Sequence, residues 1–264
     1  MNRRRFARQV AGAVVGSAVV ATDSVAERAP ARGHVRGAGE RGVLFDALAL
    51  FDARPVAFVA EEIYPGRAST LMATWRTRQF EYAWLRVMTG HYADFWQCTE
   101  DSLRWSTASL GLPLTDAQRH RLMQAHLDLR PWPDVPPALQ EFHEAGLRIG
   151  VLSNFSPTML DAAIRGNGLG TLCGRVISTD EARTYKPDPR AYQLGIEALH
   201  LPRERIVFVA FGGWDAAGAK LFGYPTYWVN RLQAPAEELG APALDGIGRS
   251  LSDLAEFIGA LAPR

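Results

Sequence analysis

Four places in this 264-residue chain set a chemically capable side chain just beyond an apolar run or inside a proline-bounded turn. Asp46 follows Gly42-Val43-Leu44-Phe45, and Ser153-Asn154 follow Leu147 to Leu152. Lys186 lies in TYKPDP, and Asp215 in FGGWD. Ligands of open α/β sheets gather beyond the carboxyl ends of the strands, so residues at such tips are the ones to inspect. An acid, a hydroxyl with an amide, a lysine and a second acid in this chain order form a combination that chance seldom produces. A single acid after a strand is usually a turn or cap residue, and the chain order of all four carries the argument. Lys186 and Lys220 are the only lysines beside 27 arginines, which points to a need for a compact point charge at Lys186. The plainer reading is a surface lysine in a turn.

The elements that must hold these residues follow from apolar periodicity. Gly42 to Asp46 reads as a buried parallel strand ending in an acid. A long helical stretch follows, including Leu71 to Met88, Tyr92 to Leu110 and Thr115 to Leu129, with no convincing strand inside it. From Pro131 the pattern alternates. Helices are expected near Pro137 to Ala145 and Pro157 to Arg165. Strands are expected at Leu147 to Leu152, Arg175 to Ile177, Ile206 to Val209 and Thr226 to Val229. This predicts an α/β fold, a Rossmann-like doubly wound parallel sheet, with a helical cap subdomain inserted at about 53–132 of a domain spanning 42–264.

Residues 1–26 combine Arg3-Arg4-Arg5-Phe6, an uncharged run from Gln9 to Thr22, and small residues at Ser24 and Ala26, the layout of a cleavable export signal. The arginines resemble the twin-arginine form, which implies an exported, periplasmic protein with no stable membrane association after cleavage. The alternative, a membrane anchor, needs a longer apolar span of about 20 residues. Residues 27–41, rich in Arg, Gly, Ala and Pro, read as a flexible linker. The formal charge of +1 owes much to the leader, which holds four arginines and one acid, so the body is mildly acidic. No basic stripe with interleaved aromatics remains, which argues against nucleic acid. Cys98 and Cys173 have no metal-ligand spacing and read as buried thiols rather than a disulfide.

The segments YPGR, TWRTRQFEYAWLR, HYADFWQ, VLSNFSP, YKPDPRAY and GWDAAGAKLFGYPTYWVNR, spread over residues 42–232, resemble type II (S)-2-haloacid dehalogenases of the haloacid dehalogenase (HAD) superfamily. The resemblance implies a HAD-like core, a homodimer and a cofactor-free, metal-free hydrolysis of a small 2-haloacid. Asp46 would displace halide and form an aspartyl ester, which water then opens to the 2-hydroxyacid. By the same resemblance Lys186 and Ser153 neutralise and bind the nucleophile or the substrate carboxylate. Arg76, Asn154 and Phe95 match the halide cradle, and Tyr192 and Trp214 match further pocket residues. Asp215 matches the acid that orients the water. Arg76 could instead face solvent on an amphipathic helix, and Trp75 and Phe80 read as cap core. The residue two places after Asp46 is Leu48, where phosphatases of the superfamily resemble one another in an Asp, and the chain offers few hard oxygen ligands for Mg²⁺.

Two motifs depart from the family pattern. Asp46-Ala47-Leu48-Ala49-Leu50-Phe51-Asp52 is one residue short and lacks the Gly-Thr pair. Ala210-Phe211-Gly212 stands where Ser-Ser-Asn is usual. Both changes remove polar groups near the expected water, so ester formation is expected to be more intact than ester hydrolysis, and polar residues at positions 210 and 212 to restore turnover. The alternatives are an inactive HAD-fold protein that binds a small carboxylate or a protein partner, and a HAD phosphatase.

Overall fold

The structure is a computed structural model and describes residues 40–260. The expected leader, and the linker up to residue 39, lie outside the described residues.

The strands are β1 (Gly42–Phe45), β2 (Phe51–Asp52), β3 (Arg130–Pro131), β4 (Arg148–Ser153), β5 (Arg175–Ser178), β6 (Ile206–Ala210), β7 (Thr226–Val229) and β8 (Gly246–Gly248). The α-helices are α1 (Ala47–Leu50), α2 (Arg54–Ile63), α3 (Ala68–Met88), α4 (Phe95–Ser109), α5 (Asp116–Gln124), α6 (Val135–Glu144), α7 (Pro157–Gly166), α8 (Pro189–Leu199), α9 (Gly213–Phe222) and α10 (Leu251–Ala260). Six strands form one parallel sheet in the order β5-β4-β1-β6-β7-β8.

Both faces of the sheet are covered, which is why its strands read as apolar runs rather than alternating ones. Val43 and Phe45 point into a cluster with Phe142 of α6, Met159 of α7 and Leu254 of α10. Leu44 points the other way, against Tyr192 and Leu199 of α8 and Ala219 of α9. The period-2 geometry of a strand thus splits a four-residue run between two cores. The α/β fold expected from the alternating pattern is the one observed.

The helical segment between β1 and β4 is not free of strand. Phe51–Asp52 pairs antiparallel with Arg130–Pro131, and this two-residue ladder ties the ends of the α2–α5 block together. Two residues per strand are too few to show a period, so the sequence gives no sign of the pairing. The expected helix over Tyr92 to Leu110 starts only at Phe95, because Asp94 accepts the Gln97 N–H at 2.8 Å as N-cap. The one expected over Thr115 to Leu129 is capped at Thr115 and ends at Gln124. Strand β8 and helix α10, beyond the last expected strand, were not anticipated; β8 is glycine-flanked and lacks an apolar run.

Within the cap, α3 packs along α4. Leu71, Trp75, Gln79 and Ala83 form its buried stripe at i, i+4 spacing. Trp75 Nε1–H donates to the Thr99 carbonyl at 2.8 Å, and Gln79 Nε2–H to Thr99 Oγ1 at 2.5 Å. Cap and core are also pinned by polar contacts. Trp84 Nε1–H donates to the Lys186 carbonyl at 3.0 Å, and Tyr92 O–H to Asp180 Oδ1 at 2.7 Å. Tyr185 O–H donates to the Ala93 carbonyl.

Candidate active site

The parallel register aligns the strand tips: Phe45 lies opposite Val151 of β4 and Val209 of β6. Asp46 therefore emerges beside Ser153 and the turn after β6, with β1 central to the strand order and later strands laid down on either side of it. The Asp46 N–H donates to the Val209 carbonyl at 2.9 Å, continuing the ladder by one residue. Its Oδ2 caps α1 by accepting the Leu48 N–H at 3.0 Å. The shortened motif has thus become a one-turn helix with the acid as its cap.

Lys186 joins the two carboxylates. Its Nζ donates to Asp46 Oδ1 at 2.8 Å and to Asp215 Oδ2 at 2.6 Å. Side-chain exposure is 0% for Lys186, 2% for Asp215 and 13% for Asp46, so Asp46 is the carboxylate open to attack a ligand. Burial draws the lysine pKa down, but the charges of Asp215 and Asp46 outweigh it, and the net effect is upward. Asp215 is pushed up to about 6, chiefly by burial and further by the Asp46 charge, against the pull of Lys186 and of the Tyr192 hydrogen bond. A carboxylate poised near neutrality suits a general base.

Lys186 sits in the loop after β5, not at a strand tip, and is fixed by Asn154. Asn154 Oδ1 accepts the Lys186 backbone N–H at 2.9 Å and the Thr179 hydroxyl at 3.3 Å. These contacts orient the amide. Its Nδ2 is left buried without a partner among the described residues. An orphaned donor in a cavity wall suits an anionic acceptor. Ser153 Oγ accepts the Phe155 N–H at 3.2 Å and keeps its own proton to donate.

Between cap and core lies a cavity offering about 70 Å³ to the centre of a water molecule, enough for a ligand of a few heavy atoms. The core contributes Asp46, Ser153, Asn154, Gly212, Trp214 and Asp215; the cap contributes Trp75, Arg76, Gln79, Phe80, Phe95 and His126. Arg76 faces this cavity rather than solvent. Burial lowers its pKa, and Asp46 partly offsets that, while its guanidinium carbon lies 5.2 Å from the Phe80 ring centre. Phe80 also meets Trp214 edge-on at 5.2 Å and Phe95 at 5.7 Å. With Asp46, Asp215, Lys186 and Arg76 ionised, the four charges cancel before any ligand arrives.

The structure corrects several expectations. Tyr192, expected in the pocket, is fully buried behind Asp215; its O–H donates to Asp215 Oδ1 at 2.8 Å, so it can only act through that acid. Trp75 and Phe80 pack in the cap core as expected, and both also line the cavity. Ala210 packs in the apolar cluster with Phe208 and Tyr192, whereas Gly212 lines the cavity, so the two altered positions face different surroundings.

Residues that sequence reasoning missed include His126, Gln79, Phe155 and Phe211. His126 Nδ1 lies 3.2 Å from the Leu122 carbonyl and must carry the proton to bond it. Burial, with Arg76 nearby, drops its pKa to about 4, leaving a neutral ring. A lone histidine in a helical pattern gives no sign of this.

Among the described residues no group of three or more His, Cys, Asp or Glu side chains could hold a metal ion. The two site carboxylates are bridged by an ammonium instead. Cys98 and Cys173 are free, buried thiols. No helix among the described residues is long and apolar enough to cross a membrane.

Comparison with known proteins bears on this geometry. A (S)-2-haloacid dehalogenase of Pseudomonas sp. (strain YL) is 42% identical over 201 residues, 76% of this chain and 87% of that protein. Haloacetate dehalogenase H-2 of Moraxella sp. (strain B) is 37% identical, covering 75% and 91%. The solved L-2-haloacid dehalogenase of Xanthobacter autotrophicus with chloropropionic acid covalently bound superposes with a TM-score of 0.78 at 35% identity, over 84% of this chain and 100% of that one. The profile described as haloacid dehalogenase-like hydrolase matches residues 20–223, which include the Asp46–Lys186–Asp215 constellation, and the chain belongs to that family.

Proposed function

We propose that this protein hydrolyses small (S)-2-haloacids to 2-hydroxyacids through an ester on Asp46. The observation that carries the reading is the asymmetry of the two carboxylates: Asp46 is reachable from a mostly apolar cavity, while Asp215 is nearly fully buried with a pKa of about 6. A carboxylate is a weak nucleophile in water, so a dry cavity that holds the substrate in line is what the first step needs. An Asp46 oxygen attacks C2 of the substrate, the new C–O bond forms as the carbon–halogen bond breaks, and halide leaves with the bonding pair. Arg76 and the unpartnered Asn154 amide are the donors placed to receive an anion, and Phe80, Phe95 and Trp214 exclude water. Water then attacks the Asp46 carboxyl carbon as Asp215 takes one of its protons; the bond from that carbon to the substrate oxygen breaks, the oxygen takes this proton back from Asp215 and leaves as the 2-hydroxyacid, and Asp46 sheds the second water proton to regain its carboxylate. Lys186 holds Asp46 and Asp215 at a fixed separation throughout.

The named relatives support the substrate class. Halide release from (S)-2-chloropropionate, followed together with intact mass, tests it. Halide well beyond one equivalent, lost in Asp46→Asn, is the expected result. No halide and no adduct would sink it.

A second reading has its own observation. Leu48, Phe211 and Gly212 bring no side-chain donor to the water side of Asp46. The ester then hydrolyses slowly, and halide stops near one equivalent with a retained adduct. Export and cleavage of residues 1–26 and assembly as a homodimer remain parts of the proposal. The mass of the secreted protein and its size in solution test them; an unprocessed cytoplasmic monomer would refute both.

A further inference from the structure

The turn that carries Asp46 is held from a distant part of the chain. Helix α1 has four residues, fewer than a helix needs to sustain itself in water, so tertiary contacts must fix it. Ala47, Ala49 and Leu50 are fully buried, and each carbonyl that so short a helix leaves open needs a donor. The Ala47 carbonyl accepts the Phe51 N–H. Trp132, just past β3, supplies two more donors: its indole N–H to the Leu48 carbonyl at 3.2 Å and its backbone N–H to the Leu50 carbonyl at 2.9 Å. The Ala49 carbonyl is taken by Arg231, which lies 182 residues on, beyond β7, and whose Nε–H and Nη2–H converge on it at 3.3 and 3.1 Å. The guanidinium is itself fixed. Its Nη1–H donates to Asp134 Oδ2 at 3.0 Å, its carbon lies 4.9 Å from the centre of the Trp132 ring, and the side chain is 7% exposed. Asp134 also accepts the Leu251 N–H, at 2.7 Å, at the start of α10. Arg231, Trp132 and Asp134 do not line the cavity around Asp46.

We propose, on the basis of the dehalogenase reading above, that Arg231 is a positioning residue for the nucleophile: by holding the far end of α1 it fixes the direction in which the Asp46 carboxylate attacks. Three contacts orient Asp46. Its N–H bonds the Val209 carbonyl, its Oδ1 accepts from Lys186, and its Oδ2 accepts the Leu48 N–H. The third of these belongs to α1. Without Arg231 the Ala49 carbonyl is buried and has lost its side-chain donor, so the turn must shift to find another, and the Leu48 N–H shifts with it. The carboxylate then leaves the line to C2 of the substrate. A misplacement of about 1 Å in such a reaction costs on the order of a hundredfold in rate, while the groups that hold the substrate, Arg76 and Asn154, stay where they are. A guanidinium suits the task because its planar fork reaches the Ala49 carbonyl and Asp134 at once, whereas a lysine ammonium on its flexible stem serves as a single point charge.

The test sets Arg231→Met and Arg231→Lys beside Asp253→Ala. Asp253 accepts the Arg249 and Ser250 N–H groups at the start of α10 and bonds nothing in α1, so its loss reports on stability alone. Ester formation from (S)-2-chloropropionate is followed by rapid-quench intact mass and chloride release over a range of concentrations. Hydrogen–deuterium exchange of residues 46–52 is measured on the free proteins. In both Arg231 variants the maximal rate of ester formation should fall roughly ten- to a hundredfold, with the half-saturating concentration within about threefold of the wild type. Residues 46–52 should exchange at least about tenfold faster. Asp253→Ala should lower the urea midpoint yet leave the rate and this exchange within about twofold of the wild type. Should Arg231→Met fail to fold, Arg231→Lys, which can keep the ion pair with Asp134, decides the matter. An unchanged maximal rate or unchanged exchange in the folded Arg231 variants would overturn the proposal and leave the dehalogenase reading intact. So would a matching loss of rate in Asp253→Ala, or a loss confined to the half-saturating concentration. Neither adduct nor chloride from the wild type would take both down.

Discussion

Replacing Tyr192 with Phe isolates the second half of the proposed reaction. The change removes one hydroxyl that touches no cavity and leaves Asp46, Lys186 and the cavity wall in place. That hydroxyl donates to Asp215 Oδ1 at 2.8 Å, and the bond holds the acid below the value its burial would otherwise impose. A hydrogen bond to an ionised group contributes roughly 1.5–3 kcal/mol, and about 1.4 kcal/mol of preference for the ionised form corresponds to one pH unit. The wild-type ester should decay with a rate that rises through a midpoint near pH 6, where Asp215 loses its proton. In Tyr192→Phe the midpoint should move up by about one to two pH units. Ester formation, in which Asp215 takes no proton, should change by less than about twofold. The assay is rapid-quench intact mass from pH 5 to 9, with formation and decay of the adduct fitted separately. An unmoved midpoint, or formation slowed as much as decay, would refute the idea that Tyr192 acts through Asp215.

Three further outcomes follow from the same contacts. Lys186→Met leaves Asp46 and Asp215 facing each other without their shared cation; it should abolish ester formation and cost about 3–5 kcal/mol at pH 7, and less at pH 5 where one proton can be shared, as read by urea unfolding at both values. His126 has a folded-state pKa of about 4, below the roughly 6.5 of an unfolded histidine. Its contribution is therefore intact above pH 6.5 and lost as pH falls toward 4, by up to about 3 kcal/mol. His126→Phe should flatten the acid limb of the stability curve over that window; an unchanged limb would show that the ring is not buried neutral. Trp84→Phe keeps a ring against Phe80 and Trp214 but loses the 3.0 Å bond to the Lys186 carbonyl, and should cost about 1 kcal/mol while lowering kcat more than it changes KM. A pure KM effect would place Trp84 in binding instead.

Much of the architecture was legible because a buried parallel strand needs a continuous apolar run and an amphipathic helix a 3.6-residue period. Both leave marks over four or more residues. The strands at 42–45, 148–153, 206–210 and 226–229, the long helix ending at Met88 and the family membership all came from such local or motif-level marks. So did the identity of the acids and the lysine: their types and chain order, read beside the resemblance, named Asp46, Lys186 and Asp215 before any contact was known.

What the chain folded upon itself decided is which of these groups touch and what each is exposed to. No spacing in the sequence places Lys186 between two carboxylates 140 and 29 residues away in the chain, and their mutual distances, not their types, move Asp215 toward pH 6. The β2–β3 ladder was invisible because a two-residue strand has no period. The side of α3 that meets the core was equally undetermined, since a helix carrying apolar residues on adjacent rows can present either row, and only docking against Trp214, Phe155 and the Asp46 tip settled that Phe80 and Arg76 face the cavity. Tyr192 lies behind the cavity wall and His126 in it for the same reason. A side chain's role in a dry site depends on its depth and partners, and these are properties of the packed structure rather than of the residue.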